Sequence, residues 1–436
     1  MFLPEFVGQC IDRLENRGFA CYAVGGCVRD SLLGLTPHDY DLCTDALPPQ
    51  TREIFADHTL VLAGEKHGTV GVVTDGGVVE ITTFRTEGDY SDSRHPGWVE
   101  FVKNIEGDLS RRDFTVNAMA WSPTRGLADP FGGQQDLDNH ILRAVGDPDA
   151  RFTEDALRIL RGVRFAVRYQ LIPEEKTLRS MITHAPLLVN IARERVFEEL
   201  CKLLPLVSAE DLIRYAPILT QVIPELAPAI GFDQHNRNHI YDVFTHIAHV
   251  TANTPADLAL RWAALLHDIG KPDTFSWGED GQGHFYGHAQ CSAQMADELL
   301  LRLKAPNALR EEVVFLIDHH MAWPETDRKL LRRYLSRWGE ARLTKLLLLQ
   351  QADTGSKGMP VENSPFEEIH TIIRELVAEN SCLTLRDLAV NGHDLMELGI
   401  SGKDIGYCLN ILLARVLDEE LPNEKSALLA EVRRIL

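Results

Sequence analysis

The sequence predicts an α+β chain: a small N-terminal sheet with accompanying helices, followed by an all-α remainder. Two observations carry this expectation. Short runs of strand character, Cys21–Val24, Asp39–Leu42, Gly68–Thr74 and Val78–Phe84, cluster near the N-terminus. From Phe152 onward apolar residues recur at helical spacing, and the breaks fall at Pro186, Pro205, Pro217, Pro224 and Pro228.

Residues 1–19 read as an amphipathic helix with Phe6, Ile11 and Leu14 on its apolar face. The strand Cys21–Val24 is broken by Gly25-Gly26, and Cys27–Leu33 has helical apolar spacing with Arg29 and Asp30 on its first turns. Leu35–His38 turns the chain into the strand Asp39–Leu42. Thr51–Phe55 is a short helix, and the next two strands meet at the turn Asp75-Gly76-Gly77. Residues 85–98 are polar, glycine-containing and aperiodic, which predicts a loop able to carry function.

At 436 residues the chain is too long for one compact domain. No run approaches about eighteen consecutive apolar residues, so no membrane-spanning helix is expected. The N-terminus lacks the basic-then-apolar pattern of a signal peptide. Eight scattered cysteines without a C-x-x-C predict reduced thiols and a cytoplasmic setting. A formal charge of −20 argues against a general nucleic-acid binder. Cations are nevertheless gathered between residues 151 and 205, where ten Lys and Arg face seven acids.

The chemistry starts at Asp39 and Asp41. Residues two apart on a strand point to one side, so their carboxylates are presented together. Acids that close repel unless a cation lies between them, and hard oxygen ligands suit Mg²⁺. Gly25-Gly26 before a helix suits a phosphate, because exposed backbone N–H groups favour an anion. A metal and a phosphate cradle in one strand–helix–strand unit point to phosphoryl or nucleotidyl transfer. Glu80 lies on a neighbouring strand. It reads either as a third acid of the metal pair or as an outward-facing strand residue.

GGCVRD followed by DYD resembles the nucleotidyltransferases of the polymerase-β superfamily. More narrowly, it resembles class II tRNA nucleotidyltransferases (CCA-adding enzymes) and bacterial poly(A) polymerases. The similarity continues through Arg111-Arg112-Asp113 to Asn117 and Ala118, matching R-R-D-F-T-x-N-A, and through Asp129–Leu137. The resemblance implies a polymerase-β-like catalytic sheet, and triphosphate binding by Gly25, Gly26, Arg29, Arg111 and Arg112. It assigns template-free reading of CTP or ATP to Asp155 and Arg158 of E-D-x-x-R, with Arg161 and Arg164 as further nucleotide contacts. Thr153 is expected to cap the helix that carries them. In the loop 85–98, Asp92 and Arg94 would help place the last nucleotide.

Residues 236–353 bring a second constellation: His239, His246, His267-Asp268, His288, His319-His320 and Asp353. Its core, LRWAALLHDIGKP, resembles the HD superfamily of metal-dependent phosphohydrolases, and His246, His267, Asp268 and Asp353 fit its H…HD…D order. Imidazoles and carboxylates together suit a divalent transition metal.

The expected organisation is a nucleotidyltransferase head (1–145), a helical neck and body (146–235), an HD domain (236–358) and a helical tail (359–436). The leading expectation is a CCA-adding enzyme working on the tRNA 3′ end with CTP, ATP and Mg²⁺. Its rivals are a poly(A) polymerase, an enzyme adding only CC or only A, and an HD phosphohydrolase with an inactive transferase half. Oligomeric state is not legible.

Overall fold

The computed structural model describes residues 3–90, 96–237, 239–323, 325–358, 365–379 and 382–435. For residues 87–90, 96–99 and 435 only the backbone is described. Asp92 and Arg94 lie outside the described residues. The chain divides into two compact units, residues 1–207 with 214–224, and residues 208–213 with 225–436.

The first unit opens with α1 (Glu5–Glu15), which buries Val7, Cys10, Ile11 and Leu14. There follow β1 (Cys21–Val24), α2 (Gly26–Leu32), β2 (Asp41–Thr44) and α3 (Pro48–Ile54). Next come β3 (Leu60–Val61), β4 (Thr69–Thr74), β5 (Gly77–Thr83), β6 (Arg85–Tyr90) and β7 (Pro96–Phe101). After α4 (Ile105–Ser110), β8 (Ala120–Ser122) and β9 (Gly126–Ala128) complete a seven-stranded sheet of order β3-β4-β5-β2-β1-β8-β9. β2 runs parallel to β5 and antiparallel to β1, so the chain crosses over between β2 and β5.

β2 is central, and Leu42, Cys43 and Thr44 are completely buried. Only its first residue, Asp41, is exposed, because the strand runs inward from the rim of the sheet. The strand therefore starts two residues later than the expected Asp39–Leu42, and Asp39 belongs to the turn before it. Residues 85–98 differ more. Their backbone pairs β6 with β7 as an antiparallel ribbon from Arg85↔Phe101 to Tyr90↔Pro96, because backbone hydrogen bonds can stabilise a ribbon without apolar alternation.

Beyond the sheet lie α5 (Gly133–Asp138), α6 (Pro148–Glu154), α7 (Leu157–Tyr169), α8 (Glu175–His184) and α9 (Arg193–Leu203). Asp129 accepts from Gly133 N at 2.7 Å and Gln134 N at 2.9 Å, anchoring the start of α5. The single helix expected from Thr153 is broken at Asp155, whose backbone is extended (φ −143°, ψ 101°). Thr153 is no cap; its hydroxyl donates to Asp149 O at 2.7 Å inside α6. Asp155 takes the capping place, accepting from Leu157 N at 3.0 Å. Leu157, Leu160 and Val163 are buried as expected.

The second unit is helical apart from a two-stranded ribbon, Ser276–Trp277 with Gly283–His284. The polar, glycine-containing turn between those strands favours the reversal. Phe366, Ile369, Ile373 and Leu376 share a core with Leu331, Leu335, Leu343 and Leu347, so packing is continuous across the expected boundary at 358/359. A separate core gathers Leu395, Leu412, Leu413, Leu428 and Val432 near the C-terminus.

Candidate functional site

The site begins where β1 stops. Gly25 has φ +75°, and a Cβ there would lie 2.9 Å from Nη1 of Arg112. Only glycine allows both the left-handed turn and the close approach of that guanidinium. The turn brings the start of α2 beside the arginine pair that follows α4.

Asp41 and Glu80 are register partners across the parallel β2–β5 pair, so their side chains leave the sheet on the same side. Asp41 keeps a solvent-facing side yet is crowded by protein atoms. That crowding, then the charge of Glu80, raise its carboxyl above the usual carboxylate range; Arg112 opposes the shift and Asp39 adds to it. Among the described residues the three acids do not close into a group of three within 4.8 Å, as the histidine cluster of the second unit does. Their mutual repulsion is what a divalent cation would relieve, and the all-oxygen donor set fits a hard ion.

Asp108, which the sequence reading passed over, organises the arginines. Its carboxylate is wholly buried and binds Arg111 Nε at 3.1 Å, Arg111 Nη2 at 2.9 Å and Arg112 Nη2 at 3.2 Å. Burial works against its charge, but the two guanidinium groups win and hold it below the ordinary range. The signal was present: an acid three and four residues before paired arginines. Arg112 remains partly exposed, and its Nε is buried without a hydrogen-bond partner.

Arg29 differs from expectation. It is 5% exposed, and its donors meet Asp30 Oδ1 at 2.7 and 2.9 Å, Tyr169 Oη at 2.5 Å and Asn117 Oδ1. Its guanidinium lies 4.1 Å from the Tyr169 ring centre. Arg29 therefore ties α2 to α7 instead of reaching into the pocket, because burial beside an acid and an aromatic face satisfies it within the protein.

The other predicted contacts are also knitted into the protein. Asp155 accepts from Arg195 Nη2 at 2.8 Å. Arg158 donates to Glu154 Oε2 at 2.7 Å and to Arg111 O at 3.0 Å, so it pairs with Glu154 and not with Asp155. Arg161 binds Asp113 at 2.7 Å, and Arg164 binds Glu199 at 2.6 Å. Asp113 is buried, which disfavours its charge, but Arg161 lowers its carboxyl to about 2.

In the second unit His246, His267, Asp268 and Asp353 converge as expected, and His288 and His320 join them. His246 Nε2 lies 3.4 Å from Asp268 Oδ2 and 3.1 Å from Asp353 Oδ1, and His267 Nε2 lies 3.1 Å from Asp268 Oδ2. All four of these residues are nearly inaccessible. The Nε2 atoms of His246 and His267 have no hydrogen-bond partner, so their lone pairs face one another across a polar hollow. This donor set fits a metal ion. Lys271 pairs with Asp268 at 2.7 Å. Burial and the charge of Lys271 push His239 down to about 3, and burial with His267 pushes His320 to about 4. A cavity of ≈ 240 Å³, lined in part by His239, Lys271, His288, His320 and Lys357, opens beside the cluster.

Residues 21–143 match the family model of the poly A polymerase head domain. Residues 171–230 match the probable RNA and SrmB-binding site of polymerase A, and residues 237–355 the HD domain. A CCA-adding enzyme of Streptococcus mutans is 34% identical over 426 residues, covering 97% of this chain and 95% of the relative. The chain belongs to the CCA-adding enzyme family. A second CCA-adding enzyme, from Geobacillus thermodenitrificans, is 33% identical over 437 residues, covering 96% and 94%. Among solved structures, the CCA-adding enzyme of Bacillus stearothermophilus in complex with CTP aligns with a TM-score of 0.73. It is 28% identical, with 99% of each chain covered. The CCA-adding enzyme of Thermotoga maritima complexed with tRNA shares the fold at 22% identity and a TM-score of 0.60. No helix among the described residues is long and apolar enough to cross a membrane.

Proposed function

We propose that the chain adds C, C and A to the 3′ end of tRNA, using CTP and ATP and releasing pyrophosphate. The observation that carries this reading is the meeting of Asp41, Glu80 and Arg112 at the mouth of the Gly25 turn. Asp39 and Asp41, with Glu80 beside them, would hold Mg²⁺, which when bound offsets charge on the attacking and leaving oxygens.

Arg112 would donate its unpartnered Nε–H to a triphosphate oxygen, with Arg111 alongside and Asp108 fixing both. Gly25 and Gly26 leave room for phosphate close to the backbone. Asp155 and Arg158 offer an acceptor and donors that match the Watson–Crick edges of C and A, with Arg161 and Arg164 steadying the same helix. Arg29 acts here as a positioning residue for α2. In this reading residues 1–145 carry transfer, 146–235 select the nucleotide and hold RNA, and 359–436 form a tail. The eight cysteines are all free, which supports a cytoplasmic setting.

The test is a tRNA truncated before its 3′ CCA, incubated with each NTP singly and together, and sized. Three added residues from CTP plus ATP support the proposal. A long ladder with ATP alone means a poly(A) polymerase, and stopping at CC or adding only A means a partial enzyme.

A second activity is favoured by the buried histidine cluster. His246, His267, Asp268 and Asp353 (residues 236–358) would hold a divalent transition metal, which supplies an activated water for phosphate-ester hydrolysis. Lys271 and Lys357 lend the adjoining cavity positive charge for the phosphate. Hydrolysis of 2′,3′-cyclic nucleotides that disappears in His267→Ala supports this; an unchanged rate counts against it.

A further inference from the structure

We propose that Asp268 bridges two metal ions, the second held by His288 and His320. This rests on reading His246, His267, Asp268 and Asp353 as the first metal site. Two groups of three ligands share Asp268: His246 with His267, and His288 with His320. The sharing is split between the two carboxylate oxygens. Oδ2 faces His246 Nε2 at 3.4 Å and His267 Nε2 at 3.1 Å, whereas Oδ1 faces His288 Nε2 at 3.3 Å and His320 Nε2 at 3.8 Å. Asp268 is 2% exposed, and its Oδ1 has no hydrogen-bond partner. A carboxylate oxygen buried on the imidazole side without a donor is costly unless a cation completes it.

The imidazoles are oriented for ligation. His288 Nδ1 lies 2.7 Å from Phe285 O, His320 Nδ1 lies close to Ile317 O at 2.6 Å, and His267 Nδ1 lies 2.8 Å from Ala264 O. A carbonyl only accepts, so each Nδ1 carries the proton, and in the neutral ring the Nε2 lone pair points into the cluster. His288 Nε2 and His320 Nε2 approach to 3.3 Å, and two N–H groups cannot face each other at that distance. One inward lone pair at least is therefore open, and an ion between the rings uses both. Imidazole-rich coordination selects Mn²⁺, Fe²⁺, Co²⁺, Ni²⁺ or Zn²⁺ over Mg²⁺. Two cations sharing one carboxylate are the arrangement that clamps both oxygens of a displacement at phosphorus.

Metal-free full-length protein is loaded with Co²⁺ in the presence of excess Mg²⁺, which occupies the oxygen-only site on the sheet. Bound cobalt is then counted by elemental analysis after gel filtration. Two cobalt ions per chain are expected, falling to one in His288→Gln and, as an independent variant, in His320→Asn. Circular dichroism identifies whichever variant keeps its fold. One ion in the unaltered chain overturns the second position alone. No ion overturns the first-site reading as well. Two ions retained in a folded variant, or none, also overturns the proposal, since the ions would then not be divided as the ligands are.

Discussion

Arg112 and Asp108 form a 3.2 Å ion pair whose two ends lie in different surroundings: the carboxylate is fully buried, and the guanidinium reaches the surface. An arginine held this way loses little freedom on binding an anion, because its orientation is set before the ligand arrives.

Asp108→Asn should therefore raise KM for CTP and ATP together, by about 10-fold, with less effect on kcat. It should also destabilise the fold by about 3–5 kcal/mol, the usual cost of orphaning a buried charge. Steady-state kinetics and urea unfolding read the two effects; a change confined to one nucleotide would argue against shared phosphate positioning.

Asp41 carries the opposite sign. Its raised carboxyl means the folded state binds a proton more readily than the unfolded chain, so its charge disfavours folding as pH rises through the raised value. Without divalent ions, Asp41→Asn should melt no lower than the unaltered protein at neutral pH, and Mg²⁺ should raise Tm only in the latter. Nucleotide addition should fall at least about 100-fold in the same variant, as expected for loss of charge compensation at the reacting oxygens. Activity that survives the change would remove Asp41 from the metal site.

The Asp113–Arg161 pair gives a pH dependence of stability. Asp113 stands at about 2 in the folded protein against about 3.9 unfolded. Its contribution, about 2 kcal/mol, is present above the unfolded value and is lost as pH falls from about 4 through about 2. Arg161→Ala should flatten that part of the stability profile, measured by denaturant titration at successive pH values. An identical profile in both proteins would mean the pair does not stabilise the fold.

Arg29 and Arg112 should respond differently to truncation. Arg29→Ala removes a buried group bonded to Asp30, Asn117 and Tyr169, and a loss of about 3 kcal/mol is expected. Arg112→Ala should leave Tm nearly unchanged and raise KM for both nucleotides. Equal melting temperatures for the two variants would contradict the division between a positioning and a binding arginine.

Asp155 is bound by Arg195 on α9 while it starts α7. Arg195→Ala should free its carboxylate and shift the ratio of C to A incorporation, read with both nucleotides present. An unchanged ratio would detach Arg195 from nucleotide choice.

The sequence by itself determined the kinds of chemistry present. Asp39 and Asp41, Arg111 and Arg112, and His267 and Asp268 are neighbours along the chain, so local spacing was enough to single them out. The strand of Asp41 and the helix of Leu157, Leu160 and Val163 were likewise legible, because period-2 and 3.6-residue patterns are local. What tertiary structure decided was which side chains are spent internally and which stay available. Asp41 meets Glu80 only because β2 pairs in parallel with β5. Arg29 is occupied only because Asn117 and Tyr169 arrive from distant segments. His288 and His320 face Asp268 only because separate helices pack around one hollow. Such contacts depend on long-range packing and burial, and no short window of residues encodes either.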